Sequence, residues 1–196
     1  LNSFSLASSS TTHNPLPSHR LSSPKPATRL PGLPLSSADR SHQLAAAVQG
    51  RLTSLLTRYA GRFPHYDVNN EMLHGQFFRD RLGDDHVPAF MFKEVARLDP
   101  EPALFVNDFN VECGNDPNAT PEKYAEQVAW LESCGAVVGG IGLQGHVQNP
   151  VGEVICAAID RLAKTGVPIW FTELDVSEPD VSLRAKDLEV VLREAY

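Results

Sequence analysis

The chain has 196 residues, with 17 Lys and Arg against 24 Asp and Glu, and a formal net charge of −7. This balance disfavours a nucleic-acid-binding protein, which needs a basic surface, and no segment reaches the ~20 apolar residues of a membrane-spanning helix. Three cysteines are too few for a small disulfide-stabilised fold, whereas 42% hydrophobic residues suffice for the core of one domain.

The first segment of the chain differs from the rest in charge. Residues 1–38 contain no acidic residue and three basic ones, Arg20, Lys25 and Arg29, so 14 basic and 24 acidic groups remain, a net charge of −10. The segment is rich in Ser and Pro and too poor in apolar residues to offset the entropy of ordering. We predict a disordered tail or targeting-like segment over residues 1–40 and a folded domain over 41–196. An organelle transit peptide has this composition, and a linker is the alternative.

Helices and strands alternate from Ser41 onward. Ser41 is a suitable cap for a first helix that ends before Gly61. Four short apolar segments are predicted as strands: 65–70, 103–108, 136–144 and 167–175. Further helices are predicted to start at or near Pro88, Thr120, Pro150 and Leu183. Such alternation predicts a parallel α/β sheet, either an open doubly wound sheet or part of an eight-stranded barrel.

Polar side chains follow the predicted strands, at the edge where parallel α/β proteins carry their chemistry. Glu71 and Glu173 each come after an apolar strand, with amide and imidazole side chains nearby. Glycoside hydrolysis requires a pair of carboxyl groups on either side of one bond, one acting as acid and the other as nucleophile or base. The pattern therefore makes a glycosidase site a candidate, with isolated structural carboxylates as the alternative that spacing alone leaves open.

Four motifs carry a resemblance to a known family. The segment from about residue 43 to 196 resembles glycoside hydrolase family 10, the endo-1,4-β-xylanases, and is most similar to its plant members. The resemblance implies a (β/α)8 barrel, retaining hydrolysis of xylan, no cofactor or metal, and secretion to the cell wall. The motifs occur in the family's order and are RYAGRFPHYDVNNEM (58–72), LFVNDFNVE (104–112), GIGLQGHV (140–147) and PIWFTELDV (168–176).

The resemblance also implies roles for individual residues. Glu71 is expected to be the general acid/base and Glu173 the nucleophile. Asn70 is expected to contact the 2-hydroxyl of the sugar beside the cleaved bond, and His146 to hydrogen-bond the nucleophile and keep it ionised. The other expected members of the polar cluster are Gln144, Asn107 and Asp175.

Only part of the family's barrel is predicted, namely strands four to seven with their helices. We therefore expect a fragment or truncated gene product that keeps both glutamates but lacks much of the substrate cleft. Loss of activity is one expectation, and a non-catalytic carbohydrate-binding role is an alternative to the enzyme. A doubly wound domain acting on another small ligand is a third, weaker reading.

Two further motifs match known ligand-binding sites only in part. Gly140–Gly145 matches GxGxxG by letter, but these glycines fall largely within a predicted strand, unlike those of a dinucleotide site. Residues 108–119 lack the glycine and the last acidic ligand of an EF-hand loop.

Trp170 is predicted to face the helices by alternation from Glu173. Cys113, Cys134 and Cys156 allow one disulfide at most, with no preferred pair.

Overall fold

A computed structural model of the chain describes residues 37–195. The helices are α1 (Ser37–Tyr59), α2 (Phe77–Leu82), α3 (Val87–Leu98), α4 (Pro121–Ser133), α5 (Gly152–Ala163) and α6 (Val181–Ala195). The strands are β1 (His65–Asp67), β2 (Ala103–Asp108), β3 (Gly140–Leu143), β4 (His146–Val147), β5 (Ile169–Phe171) and β6 (Asp175–Val176).

The main sheet is parallel and its strands follow chain order, β1-β2-β3-β5. Each crossover between neighbouring strands contains a helix, as parallel pairing requires. Four strand–helix units in sequential order are the repeating pattern of a (β/α) barrel, whereas a doubly wound sheet reverses its strand order at a switch point. The two short strands β4 and β6 form a separate parallel pair beyond the ends of β3 and β5.

The two faces of the sheet differ in chemistry. The outer face carries apolar side chains, including Tyr66, Leu104 and Ile141, which belong to a core completed by side chains of α1, α3 and α4. The inner face carries polar and aromatic side chains. The Phe105 ring lies 5.1 Å from that of His65 and 4.7 Å from that of Trp170, measured between centroids.

The position of Trp170 corrects one prediction. Its contacts place it on the inner face with Phe105, not against the helices, and its side chain is 41% exposed. Strand β5 ends at Phe171, so the alternation of side chains cannot be counted onward to Glu173. The error came from extending a two-residue period beyond the strand that produces it.

Helix boundaries follow local signals where those signals are strong. The Thr120 hydroxyl accepts a hydrogen bond from the Lys123 amide at 3.3 Å, and Pro121 occupies the first turn of α4, as predicted. The predicted cap at Ser41 is wrong, since α1 already includes Ser37. The Ser41 hydroxyl instead donates to the Arg81 carbonyl at 2.8 Å and fastens α1 to the end of α2.

Several features of the described residues were not predicted. Helix α2 and the pair β4 and β6 are too short to produce a periodic pattern.

Most of the predicted tail lies outside the described residues, although residues 37–40 are helical. All three cysteines are unpaired. No helix within residues 37–195 is long and apolar enough to cross a membrane.

Candidate active site

Glu71 lies in a tight turn directly after β1. Asn69 and Glu71 both have positive φ, 51° and 61°, a conformation that non-glycine residues adopt only when their surroundings enforce it. The Glu71 amide donates to the carbonyl of Asn107 at 2.9 Å, which ties the turn to β2. The Glu71 Oε1 atom accepts from Gln144 Nε2 at 3.1 Å and from Asn70 Nδ2 at 3.2 Å.

Glu173 lies after β5 and is held through Asn107. The Asn107 Nδ2 atom donates to Glu173 Oε1 at 2.8 Å and to Asn70 Oδ1 at 3.0 Å. The Thr172 hydroxyl donates to Asn107 Oδ1 at 2.6 Å and so fixes which end of the amide faces the glutamate. Asn107 is buried, and its amide therefore has a single orientation that satisfies all three contacts.

The short strands β4 and β6 place His146 beside Asp175. These two residues are paired in the β4–β6 register. His146 Nδ1 lies 3.0 Å from Asp175 Oδ2, and His146 Nε2 lies 3.5 Å from Glu173 Oε2. The imidazole thus lies between the two carboxylates at the outer rim of the site, where all three side chains are solvent-accessible.

The structure brings all seven predicted site residues into one connected network. It runs from Gln144 through Glu71, Asn70, Asn107, Glu173 and His146 to Asp175. This network holds two carboxyl groups at the edge formed by the carboxyl ends of the strands. Side-chain amides donate hydrogen bonds to both carboxyl groups. Groups held in this way can carry out paired acid and nucleophile chemistry on a ligand bound across the edge.

Gly142 on β3 leaves the space that Asn107 occupies. A Cβ at position 142 would overlap the Asn107 Oδ1 atom and would approach Thr172 Cγ2 to 3.0 Å. The absence of a side chain at this position therefore lets the Asn107 amide cross toward Glu173.

Asp67 is a buried carboxyl group that the sequence interpretation did not include in the site. It lies at the end of β1, is 1% exposed, and its Oδ1 atom is buried without a hydrogen-bond partner. Burial, and to a smaller degree the negative charge of Glu173, raises the pKa of Asp67 to about 7. A polar residue within a strand whose neighbours Tyr66 and Val68 are apolar was the available signal.

The raised pKa of Asp67 predicts a pH-dependent stability. In the unfolded chain Asp67 loses its proton near pH 3.8, its ordinary pKa, whereas in the folded chain it keeps the proton until about pH 7. Since the unfolded state releases the proton first, the contribution of Asp67 to the free energy of unfolding is expected to fall as pH rises from about 4 to 7, by about 2–4 kcal/mol. Asp67→Asn should abolish this fall, because the amide stays neutral.

Urea unfolding at several pH values measures this effect. The stability of Asp67→Asn relative to the unsubstituted chain should rise between pH 4 and 7 and then stay constant. Asp85→Asn is the matched control, since Asp85 is exposed. A constant difference across this range would contradict the assignment of the raised pKa to Asp67.

Within residues 37–195 no group of three His, Cys, Asp or Glu side chains is placed to hold a metal ion.

Barrel-type glycoside hydrolases carry a pair of carboxyl groups at the carboxyl ends of parallel strands, and the two hydrogen-bonded glutamates lie at this edge of the sheet. The model of glycosyl hydrolase family 10 matches residues 28–194, and the chain belongs to this family. The described residues thus form part of a (β/α)8 barrel, and the fold prediction is confirmed. The match begins at residue 28, inside the segment that was predicted as a tail.

Relatives with a curated description include several plant proteins. Endo-1,4-beta-xylanase 3 of Arabidopsis thaliana is 60% identical over 153 residues, which are 78% of this chain and 20% of the relative. Endo-1,4-beta-xylanase of Geobacillus stearothermophilus is 34% identical over 168 residues, which are 78% of this chain and 49% of the relative. The chain therefore spans about a fifth of the Arabidopsis relative and half of the bacterial one.

Solved structures share the fold. The intracellular xylanase TsXylA of Thermoanaerobacterium saccharolyticum is 26% identical with a TM-score of 0.66, over 82% of this chain and 53% of that one. Xylanase 10B of Thermotoga maritima is 22% identical with a TM-score of 0.67, over 79% of this chain and 50% of that one.

Proposed function

We propose that the chain carries the site of a retaining endo-1,4-β-xylanase that uses two glutamates in a double displacement. In the first step Glu71 donates its proton to the glycosidic oxygen while a Glu173 oxygen attacks the anomeric carbon. The bond to the leaving sugar breaks and a glycosyl ester on Glu173 forms. In the second step Glu71, now ionised, takes a proton from water, and the water oxygen displaces Glu173 from the anomeric carbon.

The observation that carries this proposal is the side-chain bridge between the two glutamates. Asn70 contacts Glu71, Asn107 contacts Glu173, and the two amides bond to each other at 3.0 Å. Retaining glycosidases keep their carboxyl groups about 5–5.5 Å apart, close enough for direct attack on the sugar. The bridge joins both carboxyl groups to one cluster of side chains, and the proposed mechanism requires their separation to fall in this retaining range.

The neighbouring side chains have supporting roles in this mechanism. Asn70, beside the acid, is proposed to hydrogen-bond the 2-hydroxyl of the sugar at the cleaved bond. His146, whose Nε2 atom lies 3.5 Å from Glu173 and whose Nδ1 atom lies 3.0 Å from Asp175, is proposed to orient the nucleophile. Gln144 donates to Glu71 and would orient the carboxyl group toward the leaving oxygen.

The substrate and its location follow from the relatives. Curated relatives from Arabidopsis are described as endo-1,4-beta-xylanases, so we propose the xylan of the plant cell wall as substrate and secretion as the route to it. No nucleic-acid partner is proposed, since the net charge is −7.

Incubation of the purified chain with xylan, followed by measurement of new reducing ends, tests the proposed activity. Hydrolysis of β-1,4-xylan but not of cellulose is expected. The absence of turnover at any xylan concentration would overturn the enzymatic proposal for this chain.

A non-catalytic carbohydrate-binding role is the second candidate. This role is favoured by the strand order of the sheet. Among the described residues, β1 and β5 are edge strands with no neighbour on their outer side, so no further strand of the sheet flanks the glutamates there. Xylan binding of equal strength in the unsubstituted chain and in Glu173→Gln, with turnover in neither, would support this role.

A further inference from the structure

His74, three residues after Glu71, lies between two carboxylates. Its Nδ1 atom is 2.6 Å from Asp108 Oδ1 and its Nε2 atom is 3.0 Å from Asp116 Oδ2. Its ring stacks on Phe109 with 3.7 Å between centroids and 10° between planes. Burial lowers the pKa of His74, but the hydrogen bonds to Asp116 and Asp108 outweigh this effect, and the pKa is raised overall. An imidazolium donates from both nitrogens and satisfies both carboxylates.

The two carboxylates are themselves fixed by other donors. Asp108, at the end of β2, also accepts from the amides of Leu73 at 2.7 Å and Phe109 at 3.0 Å. Asp116 accepts from the Asn118 amide at 2.8 Å and from Asn110 Nδ2 at 3.3 Å. His74 is therefore attached to two carboxylates of the β2–α4 connection that other hydrogen bonds already hold in place.

The turn that His74 fastens is the one that contains Glu71. The Glu71 carbonyl accepts from the His74 amide at 3.2 Å and from the Gly75 amide at 2.7 Å. Glu71 itself has the left-handed backbone conformation that an L-residue seldom adopts. Contacts outside the turn must therefore maintain it, and the side chain of His74 supplies two of them.

We propose that His74 is a positioning residue for Glu71, an inference that rests on the proposed function. Its imidazolium fastens the turn 71–75 to Asp108 and Asp116 and thereby fixes the direction of the Glu71 carboxyl group. Without His74 we expect slower protonation of the leaving group by Glu71, and an unchanged rate of attack by Glu173.

Aryl β-xylobiosides that differ in leaving group test this role. His74→Phe keeps the stacking on Phe109 and loses both hydrogen bonds. For a phenyl leaving group, which needs protonation, kcat/KM should fall about 10–100-fold. For a dinitrophenyl group, which departs without a proton, it should stay within about 3-fold. An equal loss on both substrates would overturn the proposal.

Two further variants complete this comparison. His86→Phe is the matched control, since His86 is exposed and its Nδ1 atom lies 3.3 Å from Asp84 Oδ1, and it should leave both values unchanged. Glu71→Gln should show the same leaving-group pattern more strongly. If Glu71→Gln lacks this pattern, the proposed role of Glu71 as acid is wrong. Hydrogen exchange then tests separately whether His74 holds the turn 71–75 in place.

Amide hydrogen exchange tests the attachment without turnover. In His74→Phe the amides of Leu73 and Gly75 should exchange about 10-fold faster or more, with α4 and β2 unchanged. Unchanged exchange in the turn would overturn the proposal whatever the activity. Faster exchange over the whole chain would also overturn it, because His74 would then act on global stability.

Discussion

Replacing Glu173 with Gln is expected to abolish xylan hydrolysis, with kcat reduced at least about 10³-fold because the atom that attacks the anomeric carbon is lost. Gln has nearly the same volume and its Oε1 can still accept the hydrogen bond from Asn107, which the parent structure makes at 2.8 Å. The fold should therefore survive, and the urea midpoint of the variant should match that of the unsubstituted chain.

The measurement for Glu173→Gln is the initial rate of reducing-end release from xylan, together with the urea midpoint. Glu101→Gln is the matched control: Glu101 is exposed and precedes β2, at the opposite end of the strand from the site. Retention of more than about a tenth of the activity in Glu173→Gln would exclude this residue as the nucleophile.

Glu71→Gln is expected to show a loss that depends on the leaving group. General acid–base catalysis contributes about 10²–10⁴-fold, so kcat/KM on xylan should fall by that amount. On a dinitrophenyl xylobioside the first step needs no proton, and kcat/KM should remain within about 10-fold of the unsubstituted chain. The second step still lacks its base, so the glycosyl-enzyme should accumulate.

Azide provides the complementary measurement for Glu71→Gln. As an anion it attacks the glycosyl-enzyme without a general base, so it should raise kcat on the dinitrophenyl substrate and yield a β-xylosyl azide. The corresponding experiment with the unsubstituted chain should show little acceleration. A variant that loses activity equally on all substrates and does not respond to azide would contradict the acid/base role.

Elements with strong local signals were predictable from the sequence. Strand β2 matches its predicted bounds of 103–108, because a continuous apolar run ends there in Asn107 and Asp108. Helix α4 matches because Thr120 and Pro121 form a strong start signal. Strands β1, β3 and β5 are shorter than predicted. Strand β3 starts only at Gly140, after the apolar residues 136–138, and β1 and β5 end at Asp67 and Phe171, before most of the polar residues that the prediction included.

The sequence selected residues that the structure brings together, but it did not predict the contacts between them. Spacing and family resemblance selected Glu71 and Glu173, but the bridge through Asn70 and Asn107 depends on the register of neighbouring strands, Asn107 opposite Gly142. The attachment of His74 to Asp116 joins residues 42 positions apart. No local pattern encodes such pairs, since they arise only when two strand-end loops meet.

The two-glutamate mechanism is tested most directly by the configuration of the first product. Proton NMR of a xylo-oligosaccharide digest, recorded before mutarotation, distinguishes the two anomers at the new reducing end. Double displacement through Glu173 predicts that the β-anomer appears first and the α-anomer grows only at the rate of mutarotation. An initial excess of the α-anomer would indicate a single displacement by water and would contradict Glu173 as the nucleophile.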